Sequence, residues 1–161
     1  MSQTFFADAM HKKLARWLRI FGADAEYLET GDNEVLERLR KSPERVLLTQ
    51  DVQLHARAVK RGFKSFLVPR DAAVEEQVAL IFGKYGIPLG DFPSKTVCPQ
   101  CNGALKPAGK GEVAGRVPEK VFARHEKYWS CAKCKKAYWE GTHWQKISEA
   151  AGRVKKRMGG G

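Results

Sequence analysis

Apolar and polar positions fall into blocks over the first half of the chain, and the block lengths predict strands alternating with helices. Thr4-Phe5-Phe6-Ala7 is a short apolar run ending at Asp8, after which Met10, Leu14, Trp17, Leu18 and Phe21 recur at helical spacing until Gly22. A second strand is expected over Ala25 to Leu28, a turn and cap at Thr30-Gly31-Asp32-Asn33, and an amphipathic helix carrying Val35, Leu36 and Leu39 up to Pro43. Arg45-Val46-Leu47-Leu48-Thr49 is the clearest buried strand. It ends in Gln50-Asp51, and Val52, His55, Ala56 and Val59 then fall on one predicted helical face before Gly62. Ser65 to Val68 makes a last strand ahead of Pro69-Arg70-Asp71, and Val74, Val78, Ile81 and Phe82 follow at helical spacing. Strands and helices on short connections imply an α/β fold with a parallel sheet covered on both faces, because each crossover helix must bury its apolar stripe against the sheet.

The pattern changes after Pro88. Gly90 to Lys95 reads as a linker, and from Val97 onward cysteines, glycines, aromatics and lysines replace the helical periodicity until Trp144. Such a segment cannot build an ordinary core and needs a staple. The expected organisation is an α/β domain over residues 1–90, a small zinc ribbon with a C-terminal helix over 91–154, and a flexible basic tail over 155–161. A chain of 161 residues has room for one such domain and one appendage.

The staple is legible in the cysteines. Cys98-Pro-Gln-Cys101 and Cys131-Ala-Lys-Cys134 are two knuckles, and two residues between paired cysteines let both sulfurs reach one ion at about 2.3 Å. Four thiolates close a tetrahedron and leave no position for water, so a zinc ion there holds the fold and does no chemistry. A redox role fits less well, since a thioredoxin-type pair opens a helix after a strand and normally occurs once. The stretch from Glu112 to Trp129 is expected to form a hairpin, with Tyr128, Trp129, Tyr138 and Trp139 packed around the knuckles or offered as stacking platforms for bases.

Acidic residues supply a second constellation. Asp8 and Asp51 directly follow predicted strands, Asp71 follows the last one, and Asp32 and Glu34 open a helix. In a parallel sheet these are carboxyl ends, where open α/β folds place their sites. Carboxylates gathered there repel one another unless a hard cation intervenes, so Mg²⁺ or Mn²⁺ is the natural partner. The competing reading is that Asp8 and Asp51 cap the helices they precede. His11, Lys12, Lys13, Arg16 and Arg19 on the first helix form either a solvated face or a grip for phosphates. His11 and His55 read as surface or packing residues, whereas His143, beside Tyr138-Trp139-Glu140-Gly141-Thr142, is the histidine with the most functional context.

A formal charge of +11 favours a polyanionic partner, most simply RNA or DNA, and does not by itself identify which. No apolar run approaches the roughly 20 residues that cross a bilayer, and Met1 to Asp8 lacks the order of a secretion signal, so a cytoplasmic protein without a membrane partner is expected.

Taken together, the segments Phe6-Ala-Asp8-Ala-Met-His-Lys-Lys-Leu14-Ala-Arg16-Trp17-Leu18-Arg19, Val46-Leu-Leu-Thr49-Gln-Asp51, Cys98-Pro-Gln-Cys101-Asn102 and Tyr138-Trp139-Glu-Gly141-Thr-His143-Trp144 resemble the Mut7-C family. That family is similar to PIN-like nucleases, so the resemblance implies a three-layer α/β/α sandwich followed by a zinc ribbon, and a ribonuclease activity dependent on Mg²⁺ or Mn²⁺. Carried over, the PIN-type metal carboxylates are Asp8 and Asp51, with Asp71 and either Asp32 or Glu34 as further acidic candidates. Two other classes stay open: a noncatalytic RNA- or protein-binding module that retains a nuclease-like fold, and a phosphoacceptor receiver. The receiver fits poorly, because Ser65 to Arg70 offers no lysine at the late-strand position such domains use.

Overall fold

A computed structural model describes residues 2–89 and 95–159; the expected linker over Gly90 to Lys95 lies, except for Lys95, outside the described residues. Four strands, β1 (Phe5–Ala7), β2 (Ala25–Tyr27), β3 (Val46–Thr49) and β4 (Ser65–Leu67), pair in parallel in the order β2-β1-β3-β4. Phe5 lies opposite both Ala25 and Val46. Helices α1 (Lys12–Ile20), α2 (Asp32–Lys41), α3 (Val52–Lys60) and α4 (Val74–Tyr85) follow the four strands in turn.

Successive strand residues point to opposite faces, and the sheet is apolar on both. Phe5, Ala7, Val46 and Leu48 pack with Leu14, Leu18 and Phe21 of the α1 segment and with Val78, Ile81 and Phe82 of α4. Phe6 and Leu47 point the other way, into Val35, Leu36 and Leu39 of α2 and Leu54 and Ala58 of α3. Three layers follow from this alternation. Helix α1 stops where Gly22 takes φ +96°, a conformation disfavoured for a residue with a Cβ, and the chain turns directly into β2.

The face predicted for α3 is corrected. Leu54 and Ala58 are buried, while Val52 and Val59 are 65% and 52% exposed. The helix starts one residue after its Asp51 cap, and that start rotates the Leu54 and Ala58 stripe onto the sheet.

The C-terminal part forms a second, antiparallel sheet of β5 (Leu105–Ala108), β6 (Tyr128–Cys131) and β7 (Ala137–Trp139). The expected hairpin over Glu112 to Trp129 is not formed. Two short helices, α5 (Lys110–Val113) and α6 (Glu119–Arg124), take its place, because Val113, Val117, Val121 and Phe122 gather over Tyr128. The buried Tyr128 hydroxyl donates to the carbonyls of Val121 and His125 at 3.1 and 2.7 Å.

Helix α7 (Thr142–Gly159) leaves this small sheet and returns to the sandwich, where Ala150 and Val154 join the α1 and α4 side of the core. Arg153 adds a two-pronged contact to Glu75, with Nε and Nη2 each 2.8 Å from a carboxylate oxygen. The flexible tail expected from Lys155 is replaced by helix through Gly159, since Met158 extends the Ala150 and Val154 stripe by one more turn onto the core.

Leu47 is fully buried between two helices on the α2 and α3 face. Leu47→Ala is expected to cost about 2–5 kcal/mol of folding stability, measured as a lowered urea midpoint at unchanged slope.

Candidate functional site

The two Cys-x-x-Cys knuckles meet. All four sulfurs of Cys98, Cys101, Cys131 and Cys134 lie within 4.8 Å of one another. Cys101 to Cys131 is 3.4 Å and Cys98 to Cys134 is 3.8 Å, close to the edge of about 3.8 Å that a tetrahedron with 2.3 Å zinc–sulfur bonds requires. The knuckles are built alike. Asn102 and Lys135, each just after the second cysteine, take φ of 68° and 65°. Cys98 N donates to Gly103 O at 2.8 Å, and Cys131 N to Lys136 O at 3.0 Å. Gly103 is required by close approach, because a Cβ there would lie 2.9 Å from Cys131 Sγ.

Backbone donors aim at the sulfurs as a thiolate centre needs. Lys133 N and Cys134 N reach Cys131 Sγ at 3.3 and 3.4 Å, and the Tyr138 hydroxyl donates to Cys98 Sγ at 3.1 Å. Without an ion the Cys101 and Cys131 thiols titrate apart. Burial pushes Cys101 up to about 12, whereas at Cys131 burial is outweighed by the two backbone N–H groups and the thiol falls to about 7. The chemistry of the donor set therefore fits a structural zinc ion.

The first knuckle is fastened to the edge strand of the parallel sheet. Arg19 is buried and donates from Nε to Ala25 O at 2.7 Å and from Nη1 to Pro99 O at 3.0 Å. Asn102 accepts from Ala25 N at 3.0 Å and donates to Asp24 Oδ1 at 2.7 Å. Arg45 holds the same carboxylate at 2.8 Å. Burial alone would raise the Asp24 carboxyl, but the hydrogen bonds from Arg45 and Asn102 keep it below its usual range. Arg19 thus departs from its expected place among phosphate-binding residues. A buried guanidinium must spend its donors on nearby acceptors, and here they are backbone carbonyls.

At the opposite, carboxyl edge of the sheet, the strand order reverses between β1 and β3, and Asp8 and Asp51 stand at that switch point. Thr49 links them. Its hydroxyl donates to Asp8 Oδ2 at 2.6 Å and accepts from Asp51 N at 3.0 Å. Both carboxylates also cap: Asp8 Oδ1 accepts from Met10 N at 3.1 Å, and Asp51 Oδ1 accepts from Gln53 N and Leu54 N at 2.9 and 3.1 Å. Asp51 Oδ2 has no hydrogen-bond partner among the described residues. Asp32 and Glu34 are exposed in the first turn of α2, with Asp32 3.8 Å from Arg57, and Asp71 is exposed in the turn before α4. Among the described residues only the four cysteines cluster as three or more potential ligands; the five acidic candidates do not.

Two residues at this edge were missed or underrated by sequence reasoning. Thr49 carried a signal only in its place two residues before Asp51. His11, read as surface or packing, is 5% exposed and lies 4.0 Å from Asp8 Oδ1, with its Nε2 buried and lacking a hydrogen-bond partner. Burial lowers the His11 pKa, against the opposing pull of Asp8. His55 is held by Ser65 Oγ at 2.7 Å.

Between α1, the ribbon and the start of α7 lies a cavity of about 510 Å³. Lys12, Arg16 and Arg19 line one wall, and Trp129, Tyr138, Trp139, Trp144 and His143 line the other. Lys13 is exposed but does not reach it, since positions 12, 16 and 19 share a helical face and 13 is turned about 100° away. Trp129 and Trp144 stack with centroids 5.8 Å apart and planes 14° from parallel. Trp144, which the sequence placed only as the start of a helix, is thus part of the cavity.

A parallel α/β sandwich with acidic residues at its switch point, joined to a ribbon whose four cysteines could hold a metal ion, is the class that the fold and the site define. The Mut7-C RNAse domain model matches residues 3–151, and the chain belongs to that family. No curated protein and no solved structure matches it.

Metal analysis of the purified protein is expected to return about one zinc per chain. Stripping it with a chelator should remove amide protection from β5 to β7 first and leave that of β1 and β3 in place, because only the ribbon lacks an apolar core large enough to stand alone. Equal and simultaneous loss in both sheets would contradict this order.

Proposed function

We propose that this chain is a cytoplasmic endoribonuclease that hydrolyses RNA phosphodiesters with a Mg²⁺ or Mn²⁺ ion held at Asp8 and Asp51. The observation that carries the reading is the Asp8, Thr49 and Asp51 linkage across the β1 and β3 ends, in a chain whose family is a ribonuclease domain. Two carboxylates suffice for such an ion, because Mg²⁺ keeps several waters and takes substrate phosphates as its remaining ligands. A bound ion supplies activation of water and neutralisation of charge developing on the phosphodiester. Asp51 offers its free Oδ2, and Thr49 fixes the orientation of the buried Asp8. Lys12 and Arg16, on α1 after the turn that Asp8 caps, hold adjoining phosphates. Asp71, Asp32 and Glu34 are too dispersed to be more than outer contributors. Zinc in the ribbon has a structural role.

A noncatalytic RNA-binding module is the second reading, favoured by the capping bonds that occupy both aspartates. The two readings part on one experiment. Asp8→Asn is expected to lower Mn²⁺-dependent cleavage of single-stranded RNA at least about 100-fold, since one first ligand of the ion loses its charge, while RNA affinity changes little. Equal cleavage by both proteins removes the mechanism, and no cleavage by either under Mg²⁺ or Mn²⁺ leaves the binding module. RNA affinity in either case should fall steeply between about 50 and 200 mM salt, as counterion release dictates.

A further inference from the structure

The cavity between α1 and the ribbon has a composition that neither metal binding nor core packing explains. A volume near 510 Å³ lies in the range of sites that take one small organic group. Its two walls differ in kind. One carries Lys12 and Arg16, both exposed and without an ion-pair partner among the described residues, although carboxylates elsewhere on the surface are paired with Arg38, Arg40, Arg45, Lys110 and Arg153. The other carries the stacked indoles of Trp129 and Trp144. Cations facing an aromatic wall match a phosphate joined to a flat heterocycle.

The position of the cavity matters as much as its lining. Lys12 follows Asp8 across the short 3-10 turn Ala9–His11, whose N-terminus Asp8 caps. Tyr27, another wall residue, donates its hydroxyl to Ala9 O at 3.3 Å, next to Asp8. The negative charges of Glu29 and Asp8, together with burial as the largest cause, raise the Tyr27 phenol, which places it within electrostatic reach of that edge. A group seated in the cavity would therefore lie beside the segment that leaves the carboxyl edge at Asp8.

We propose that this cavity is a binding site for a single unstacked nucleotide of RNA, its base on the Trp129 and Trp144 wall and its phosphate on Lys12 and Arg16. The inference rests on RNA being the substrate, and it adds a consequence: the enzyme selects single strands, because a base stacked on the indoles cannot remain stacked and paired in a duplex. The nucleotide so held is the neighbour of the one presented at Asp8.

The test is binding of a fluorescein-labelled single-stranded RNA hexamer in EDTA, where no cleavage occurs, followed by both anisotropy and tryptophan fluorescence, with the same hexamer in duplex form as comparison. Arg16→Glu should weaken single-strand binding at least about tenfold and abolish tryptophan quenching. Trp144→Leu should weaken it roughly 5- to 150-fold, the range of one base-stacking contact, and Trp144→Phe should restore most of the loss. Lys60→Glu, an exposed cation on α3, is the control and should reproduce the unaltered protein. Zinc content verifies that each variant is folded; if Trp144→Leu loses its zinc, Arg16→Glu, on an exposed helix face, decides alone. Duplex and single strand bound with equal affinity, or unaltered quenching in Arg16→Glu, overturns the proposal. Failure here is distinct from failure of the nuclease reading: cleavage that survives in Arg16→Glu with unaltered affinity sinks the nucleotide site alone, whereas Arg16-dependent binding without cleavage sinks the nuclease alone.

Discussion

The architecture depends on a small knot of polar contacts where the first cysteine knuckle meets the outer edge of the parallel sheet. Arg19 and Asn102 between them occupy both the N–H and the carbonyl of Ala25, the first residue of an edge strand. An edge strand left open would need some other cover for those groups. The knuckle supplies it, and in doing so fixes the ribbon against α1. The Arg19 guanidinium lies close enough to Cys101 and Cys98 to feel their thiolate charge. Knuckle, arginine and sheet edge are thus coupled: the four cysteines gather at the knuckle, and the knuckle closes the sheet.

That docking creates the basic and aromatic cavity. Neither wall encloses anything on its own. The cations of α1 form a solvated stripe until the ribbon is placed opposite, and the tryptophans belong to elements that meet only because α7 turns back onto α4. The Glu75 and Arg153 contact and the buried Ala150 and Val154 hold that return path. Exposed pairs such as this one contribute little stability, but they fix register where apolar packing alone would let a helix slide.

The acidic edge is organised by a different economy. Asp8 and Asp51 each serve a helix N-terminus, which favours negative charge, and the same positions face the strand ends where a ligand approaches. Capping and ion binding are compatible because a carboxylate has more lone pairs than a cap uses. Thr49 makes the two positions one unit. His11 is buried at the same place, with a ring nitrogen that has no hydrogen-bond partner.

The sequence by itself determined the alternation of strands and helices, the parallel sheet and the four ligands of the ribbon, because each depends on local periodicity or on covalent spacing. Phe5 and Phe6 announce a strand buried on both faces, and Cys98 to Cys101 can reach one ion whatever surrounds them. What stayed hidden required knowing which face turns inward. Val52 and Val59 look like core beside Leu54 and Ala58, and only the docking of α3 separates them. The tail looked loose because charge dominates its composition, yet Met158 falls in line with Ala150 and Val154 once α4 is there to receive it. Arg19 and Lys12 are both cations of α1; one is buried against the knuckle and the other is left exposed. Long-range contacts made those choices, since burial of a side chain is settled by what packs against it and no single chain segment carries that information.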